Sequence, residues 1–171
     1  DYCRRLGVAL QPFIFASRAN LIHSARLGNG RTVTQREALY SLQGHVAELL
    51  DKCVVSGGLD QPLTGADLAR LRDMLTRFGD LSQEGEARRY RNASGRAGYA
   101  EPPGLAGQPG RPLSPIAFDE LLRSDVWDNW IFRDAEYFWQ ASLLEPVGGM
   151  DNFWRAFARQ KREAGPGTVA D

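Results

Sequence analysis

Residue types able to take part in chemistry concentrate near the C-terminal end of the chain. The stretch Leu144-Glu145-Pro146-Val147-Gly148-Gly149-Met150-Asp151-Asn152-Phe153-Trp154-Arg155 reads as a short extended run, a glycine turn and then a helix. Two adjacent glycines let a backbone pass close to a flat or charged ligand, because no Cβ stands in the way. Asp151 can cap the following helix, whose N-terminal end is electropositive. The densest aromatic region lies immediately upstream, and all four tryptophans (Trp127, Trp130, Trp139, Trp154) fall within or beside it. Reactive side chains elsewhere are scattered. Cys3 and Cys53 have no short spacing, so they form neither a metal motif nor a disulfide framework; they read as free thiols and do not fix the redox compartment. His23 is either an active-site residue on a hairpin or a hydrogen-bonded structural residue beside Leu21 and Ile22. His45 has no second ligand at metal spacing and reads as structural or exposed. Gly57-Gly58 lacks the glycine spacing and the Lys-Ser/Thr of a phosphate loop.

The elements that must position these residues follow from pattern. Asp1 to Leu6 reads as the end of a helix stopped at Gly7, and Val8 to Phe15 as extended. Asn20 to Ser24 and Arg31 to Val33 flank Gly28-Asn29-Gly30, a hairpin signal because Asn-Gly tolerates positive φ. Thr34 with Glu37 makes a capping box, and Leu39, Leu42, Val46, Leu49, Leu50 and Cys53 recur at helical spacing, so a helix is predicted from about Gln35 to Cys53. Thr64 with Asp67 repeats the pattern before a second helix ending at Gly79. From 80 to 112 the composition shifts to arginine, tyrosine, proline and glycine, and the stretch is expected to be a long loop over a domain surface. Asn92-Ala93-Ser94 matches a glycosylation sequon, which carries little weight without a eukaryotic secretory context. Ser114-Pro115 is a strong helix start; Ser124 caps a turn running to about Trp130 and Asp134 another through Gln140. Phe153, Trp154, Phe157 and Ala158 form the apolar face of the last helix, and order ends at Gly165-Pro166-Gly167.

Together these features give a mainly α chain with a small β portion. Its parts are a β region over residues 1–34, a helical section over 35–130 containing the long loop 80–112, and a return over 131–171. Composition narrows the function classes. The 171 residues carry a formal net charge of +0, with 43% hydrophobic and 25% charged residues, ordinary for one globular domain or a piece of a larger one. Balanced charge gives no reason to expect a nucleic-acid partner. The basic and aromatic residues of 88–99 are offset by Glu84, Glu86 and Glu101. No apolar run approaches the ~20 residues of a membrane span. The N-terminus lacks a signal-peptide pattern, and it lacks an initiator methionine, so the chain is expected to begin inside a longer product, with location left open between cytoplasmic and secreted bacterial.

Several segments in order are similar to one family. Tyr2-Cys3-Arg4-Arg5-Leu6-Gly7-Val8 leading to Pro12-Phe13, Asn20-Leu21-Ile22-His23 before a glycine turn, Arg96-Ala97-Gly98-Tyr99 with a following Pro-Gly, and Pro146-Val147-Gly148-Gly149-Met150-Asp151 together resemble bacterial L-amino-acid oxidases of the flavin amine oxidase superfamily, with glutamate oxidases among them. The resemblance covers most of the chain and implies an internal segment of such an enzyme: the helical domain plus part of the substrate-binding domain of a two-domain FAD-dependent fold. The family's Gly-x-Gly-x-x-Gly fingerprint, the arginine that holds the substrate carboxylate and the C-terminal flavin-contacting segment are not in these residues. Other chains or segments of the same oxidase would therefore complete the enzyme, as a homo-oligomer of the whole.

The resemblance implies a flavin-dependent oxidation of an L-amino acid by O₂, giving a 2-oxo acid, ammonia and hydrogen peroxide. Gly148, Gly149 and Met150 are then expected beside FAD, and Asp151 and Asn152 near the substrate cavity. The segment 130–140 would line the side-chain pocket. Within it Arg133 would pair with an acidic substrate side chain or else form a surface salt bridge with Asp134 or Glu136; Trp139 would pack against a hydrophobic substrate, with Gln140 beside it. No residue of the chain is expected to be catalytic in its own right. The alternatives are a non-catalytic helical interaction module, a subunit that shields a partner's active site, or another flavin amine oxidase or monooxygenase.

Overall fold

The computed structural model describes residues 2–13, 17–60, 62–105, 107–128 and 144–160. They form a mixed structure of five α-helices and eight short strands, the strands paired in four two-stranded antiparallel sheets. The chain divides into two compact units. One joins residues 1–16 to residues 136–171, and the other spans residues 17–135.

In the larger unit, β2 (Leu21–Ile22) pairs with β3 (Val33–Thr34) in a hairpin that leads straight into α2 (Gln35–Val55). The Asn29-Gly30 corner has φ of +55° and +80°, the left-handed geometry that this residue pair tolerates. Thr34 caps α2 by accepting the Glu37 N–H at 3.1 Å. Glu37 is itself buried and paired with Arg31, so the capping-box glutamate turns to an arginine instead of reaching back to the cap. A loop leads to α3 (Gly65–Gly79), again capped by a threonine, Thr64, which accepts from Asp67 N at 3.2 Å.

Two packing centres hold α2 in place. Leu27, Val33, Ala38, Ile116, Leu121 and Val126 form the first, between the β2–β3 hairpin, the first turns of α2 and α4 (Phe118–Arg123). Burying a leucine such as Leu27 or Leu121 contributes about 2 kcal/mol. Ala47, Leu81 and Tyr90 form the second. Here two glycines set the distances. A Cβ on Gly44 would lie 2.2 Å from Tyr90 Cδ2, and one on Gly79 would lie 2.2 Å from the Ala47 Cβ. Tyr90 thus packs on bare helix backbone, and the end of α3 meets α2 in direct contact.

The stretch 80–112, expected to be a long loop, instead folds into two hairpins. Asp80 ends α3 in the left-handed conformation and turns the chain into β4 (Leu81–Glu84), which pairs with β5 (Ala87–Tyr90) across Gly85-Glu86. Gly85 has φ of +63°, supplying the backbone that a two-residue hairpin loop needs. β6 (Tyr99–Glu101) then pairs with β7 (Arg111–Pro112). Between the hairpins Asn92 is fully buried with φ of +53°; its Oδ1 accepts from Ala97 N at 2.9 Å and its Nδ2 donates to Leu113 O at 2.9 Å. The side chain stands in for strand hydrogen bonds, which an alternation of polar and apolar residues does not reveal. The helix expected from Ser114-Pro115 also starts later, at Phe118. The Ile116 backbone is held against α2 beforehand, its N–H on Ser41 Oγ at 3.3 Å and its carbonyl 2.8 Å from His45 Nε2.

In the smaller unit, α1 (Tyr2–Arg5) ends at Gly7, whose φ is +67°. β1 (Leu10–Pro12) pairs antiparallel with β8 (Leu144–Pro146), and a turn carries the chain into α5 (Met150–Ala158). Among the described residues no helix is long and apolar enough to cross a membrane.

Candidate functional site at the glycine turn

The turn is built on the edge of the β1–β8 pair. Leu10, Gln11 and Pro12 lie opposite Pro146, Glu145 and Leu144, and Gln11 Nε2 donates to Glu145 Oε1 at 2.7 Å. Val147 N donates to Ala9 O at 2.9 Å, which carries the pairing one residue past the strand. The chain then reverses. Gly149 N donates to Pro146 O at 2.9 Å, and Gly148 and Gly149 take φ of +80° and +94°, values that leave no strain-free place for another residue type.

The two glycines serve different purposes. A Cβ on Gly148 would lie 2.4 Å from Asn152 Nδ2. That amide reaches back to donate to Val147 O at 2.7 Å, so Asn152 clamps the turn from inside the helix. A Cβ on Gly149 would meet no atom of the described residues within 4 Å. Gly149 therefore leaves its open side to whatever approaches, while Gly148 is occupied by the protein itself.

Asp151 does not cap α5. Gly149 occupies the cap position with no side-chain bond, and Asp151 lies in the first turn, where its Oδ2 pairs with Arg155 Nη2 at 2.6 Å across one helical turn. A carboxylate there still complements the positive helix end. Met150 is 68% exposed, and with Trp154 (69%) and Phe157 (53%) it forms an apolar stripe at i, i+4 and i+7. The Trp154 and Phe157 rings lie 6.3 Å apart. The structure thus brings Gly148, Gly149, Met150, Asp151 and Asn152 together. Arg133, Trp139 and Gln140 lie outside the described residues, as does the helical turn expected after Asp134.

The other candidates separate. His23 is exposed on the β2–β3 hairpin. His45 is structural: its ring stacks on Phe118 and meets Tyr90 edge-on, with centroids 5.3 Å away in each case. Cys3 and Cys53 are free thiols, Cys53 exposed. The Asn92 amide of the sequon is buried and fully engaged, so no glycan can be attached to it in the folded chain. Among the described residues no three His, Cys, Asp or Glu side chains are grouped to hold a metal.

Two charged groupings went unnoticed in the sequence. Asp51, 2% exposed, receives Arg72 Nε and Nη2 at 2.8 and 3.1 Å and Arg88 Nη1 at 3.4 Å. Burial pushes its pKa up, but the paired arginines outweigh that and hold it below the usual carboxylate range. Tyr40 is the second; the guanidinium carbons of Arg18 and Arg96 stand 5.2 and 4.8 Å from its ring centroid. The only sequence signal for either was an arginine count near the aromatics, since both join residues distant along the chain.

Compared with known protein families, the chain matches none.

Proposed function

We propose that the chain is a segment of an FAD-dependent L-amino-acid oxidase, supplying one wall of an active site completed by other chains or segments of the same enzyme. The observation that carries this reading is the open side of Gly149: a positive-φ turn with no atom of the described residues where a Cβ would stand, exposed at the head of an amphipathic helix. Such a backbone fits against a flat ring. It is a wall and not a cradle, since the Gly-x-Gly-x-x-Gly loop that holds a dinucleotide is not among these residues.

In that role Gly149 and Met150 would border FAD, with Gly148 fixing the turn. When bound, the flavin supplies the two-electron chemistry of amine oxidation and reoxidation by O₂. This chain's residues would orient and exclude water. Asn152 holds the turn rigid through Val147 O, so the wall keeps its distance from the ring. Asp151, already paired with Arg155, adds no unpaired charge to the wall. The overall reaction is L-amino acid plus O₂ and water to 2-oxo acid, ammonia and hydrogen peroxide. Arg133, Trp139 and Gln140 would set the side-chain preference.

A second reading, a non-catalytic interaction module or shielding subunit, draws on the exposed stripe of Met150, Trp154 and Phe157. One experiment separates the two. The native assembly is isolated through a tag on this chain, its flavin absorption and intact mass are recorded, and it is assayed with the common L-amino acids for peroxide and 2-oxo acid. A yellow assembly that forms a 2-oxo acid is expected. A colourless, inactive assembly favours the interaction module, and an aldehyde or amide product favours another flavin amine oxidase or monooxygenase.

A further inference from the structure

The arginines of the larger unit are unevenly neutralised. Nine of them stand at ion-pair distance from a carboxylate, from Arg26 with Asp125 to Arg123 with Asp119. Arg36, Arg77 and Arg96 do not, among the described residues, and Arg36 and Arg96 are neighbours. Arg36 Nε donates to Arg96 O at 2.8 Å and its Nη2 to Gly95 O at 3.1 Å. Arg96 Nη1 donates to the Arg77 and Phe78 carbonyls at 3.1 and 2.9 Å, at the C-terminal end of α3. Each guanidinium thus spends one edge on backbone carbonyls, leaving Nη1 of Arg36 and Nε and Nη2 of Arg96 without a described acceptor. Arg96 also lies against the Tyr40 ring, whose hydroxyl accepts from Arg18 Nη1.

This is a concentration of positive charge in a chain with a formal net charge of +0, so general basicity does not account for it. The guanidiniums are also pre-positioned. Backbone bonds and the ring of Tyr40 fix their planes, so little side-chain entropy is lost when an anion binds. The recess beside them, lined by Tyr40, Gln43, Phe78, Asp80, Tyr90 and Arg96, has no free interior volume. Nothing there can enclose a small molecule. Asp80 at the same recess accepts the Ser94 hydroxyl at Oδ2, 2.6 Å away, and keeps its negative charge, which offsets one of the two guanidiniums. Arg36 remains exposed and Arg96 half-buried.

We propose that the Arg36–Arg96 pair beside Tyr40 is a docking surface for an acidic segment of a partner polypeptide. Carboxylates carried on an extended chain can reach both guanidiniums from outside, where charge complementarity steers encounter and pairs two donors with each carboxylate. A free oxyanion, the other source of the same charge, would have only the open surface to hold it. The proposal does not depend on the oxidase reading.

The test uses the full 171-residue chain and a capped hexaglutamate peptide, with binding followed by calorimetry or by amide chemical shifts. Binding that moves the amides of residues 36, 40 and 96 and weakens several-fold when salt is raised to about 0.5 M is expected. Arg36→Gln should weaken it about tenfold, because one charge-assisted pair contributes roughly a factor of ten, while Arg36→Lys, which keeps the charge but not the two-donor fork, restores only part of it. Arg70→Gln, remote and already paired with Asp67, is the control and should leave binding unchanged. Thermal unfolding of each variant shows whether it is folded; if Arg36→Gln fails to fold, Arg96→Gln takes its place. No binding by the peptide, equal loss in the control, or inorganic phosphate binding as tightly as the peptide would each overturn the proposal.

Discussion

Gly148 and Gly149 share a turn but differ in what a side chain would cost. Substituting Gly149 by alanine meets only the left-handed backbone, whereas at Gly148 the new Cβ also strikes Asn152. Gly149→Ala should therefore cost about 1 kcal/mol and Gly148→Ala at least about 2 kcal/mol, read from urea midpoints. Under the oxidase reading the order reverses for activity, since Gly149 faces the ligand; if both variants lose flavin in proportion to stability alone, the wall has no such role. Asp51 offers a sharper stability test. Asp51→Ala leaves Arg72 and Arg88 with an unbalanced charge in a buried site and should cost about 3 kcal/mol. Its folded pKa lies below the unfolded one, so the stability it adds is present above the ordinary carboxylate pKa and is lost as pH falls through the folded value. Acid unfolding of Asp51→Asn should accordingly be less steep between neutral pH and strong acid than that of the parent.

Among the elements, α2 carries the larger unit, and its interior glycine is the telling position. Alanine at an exposed helical site would gain about 1 kcal/mol over glycine. Gly44 is instead covered by Tyr90, and the added methyl has no room. Gly44→Ala should destabilise by about 1–3 kcal/mol, and in a double-mutant cycle with Tyr90→Leu the loss should shrink. The same packing buries the Tyr90 hydroxyl and pushes its pKa up to about 12, chiefly by desolvation. Because the folded value is raised above the ordinary 10, stability is fully present below pH 10 and declines as pH rises toward 12. Alkaline unfolding followed by tyrosinate absorbance should show one tyrosine ionising late, together with unfolding, and Tyr90→Phe should remove that step.

For the whole chain, the two units differ in how well they close. The larger has two internal packing centres. The smaller leaves Met150, Trp154 and Phe157 exposed along one helix face. A face of this kind binds apolar dyes and promotes self-association. Trp154→Glu is predicted to lower dye fluorescence and the sedimentation-derived self-association of the chain while shifting stability by less than about 0.5 kcal/mol, because the side chain packs against little. A larger loss of stability would mean that Trp154 is held by contacts the exposed stripe does not suggest.

What the sequence by itself determined is local. Both threonine caps, the two long helices with the end of the second at Gly79, the hairpin around Asn29-Gly30, and the strand–glycine turn–helix order at 144–158 are set by interactions within a few residues, whose preferences survive in isolation. Tertiary structure decided the rest. The segment 80–112 became two hairpins because Asn92 and Tyr90 find partners on other segments; Ser114-Pro115 stayed outside the helix because α2 claims the Ile116 backbone; and Asp151 yielded the cap to Gly149 and paired with Arg155. Asp51 with its arginines, and Arg36 and Arg96 beside Tyr40, join residues tens of positions apart. Composition records those charges, but which are neutralised and which are left outward depends on three-dimensional distance, and a linear pattern does not contain it.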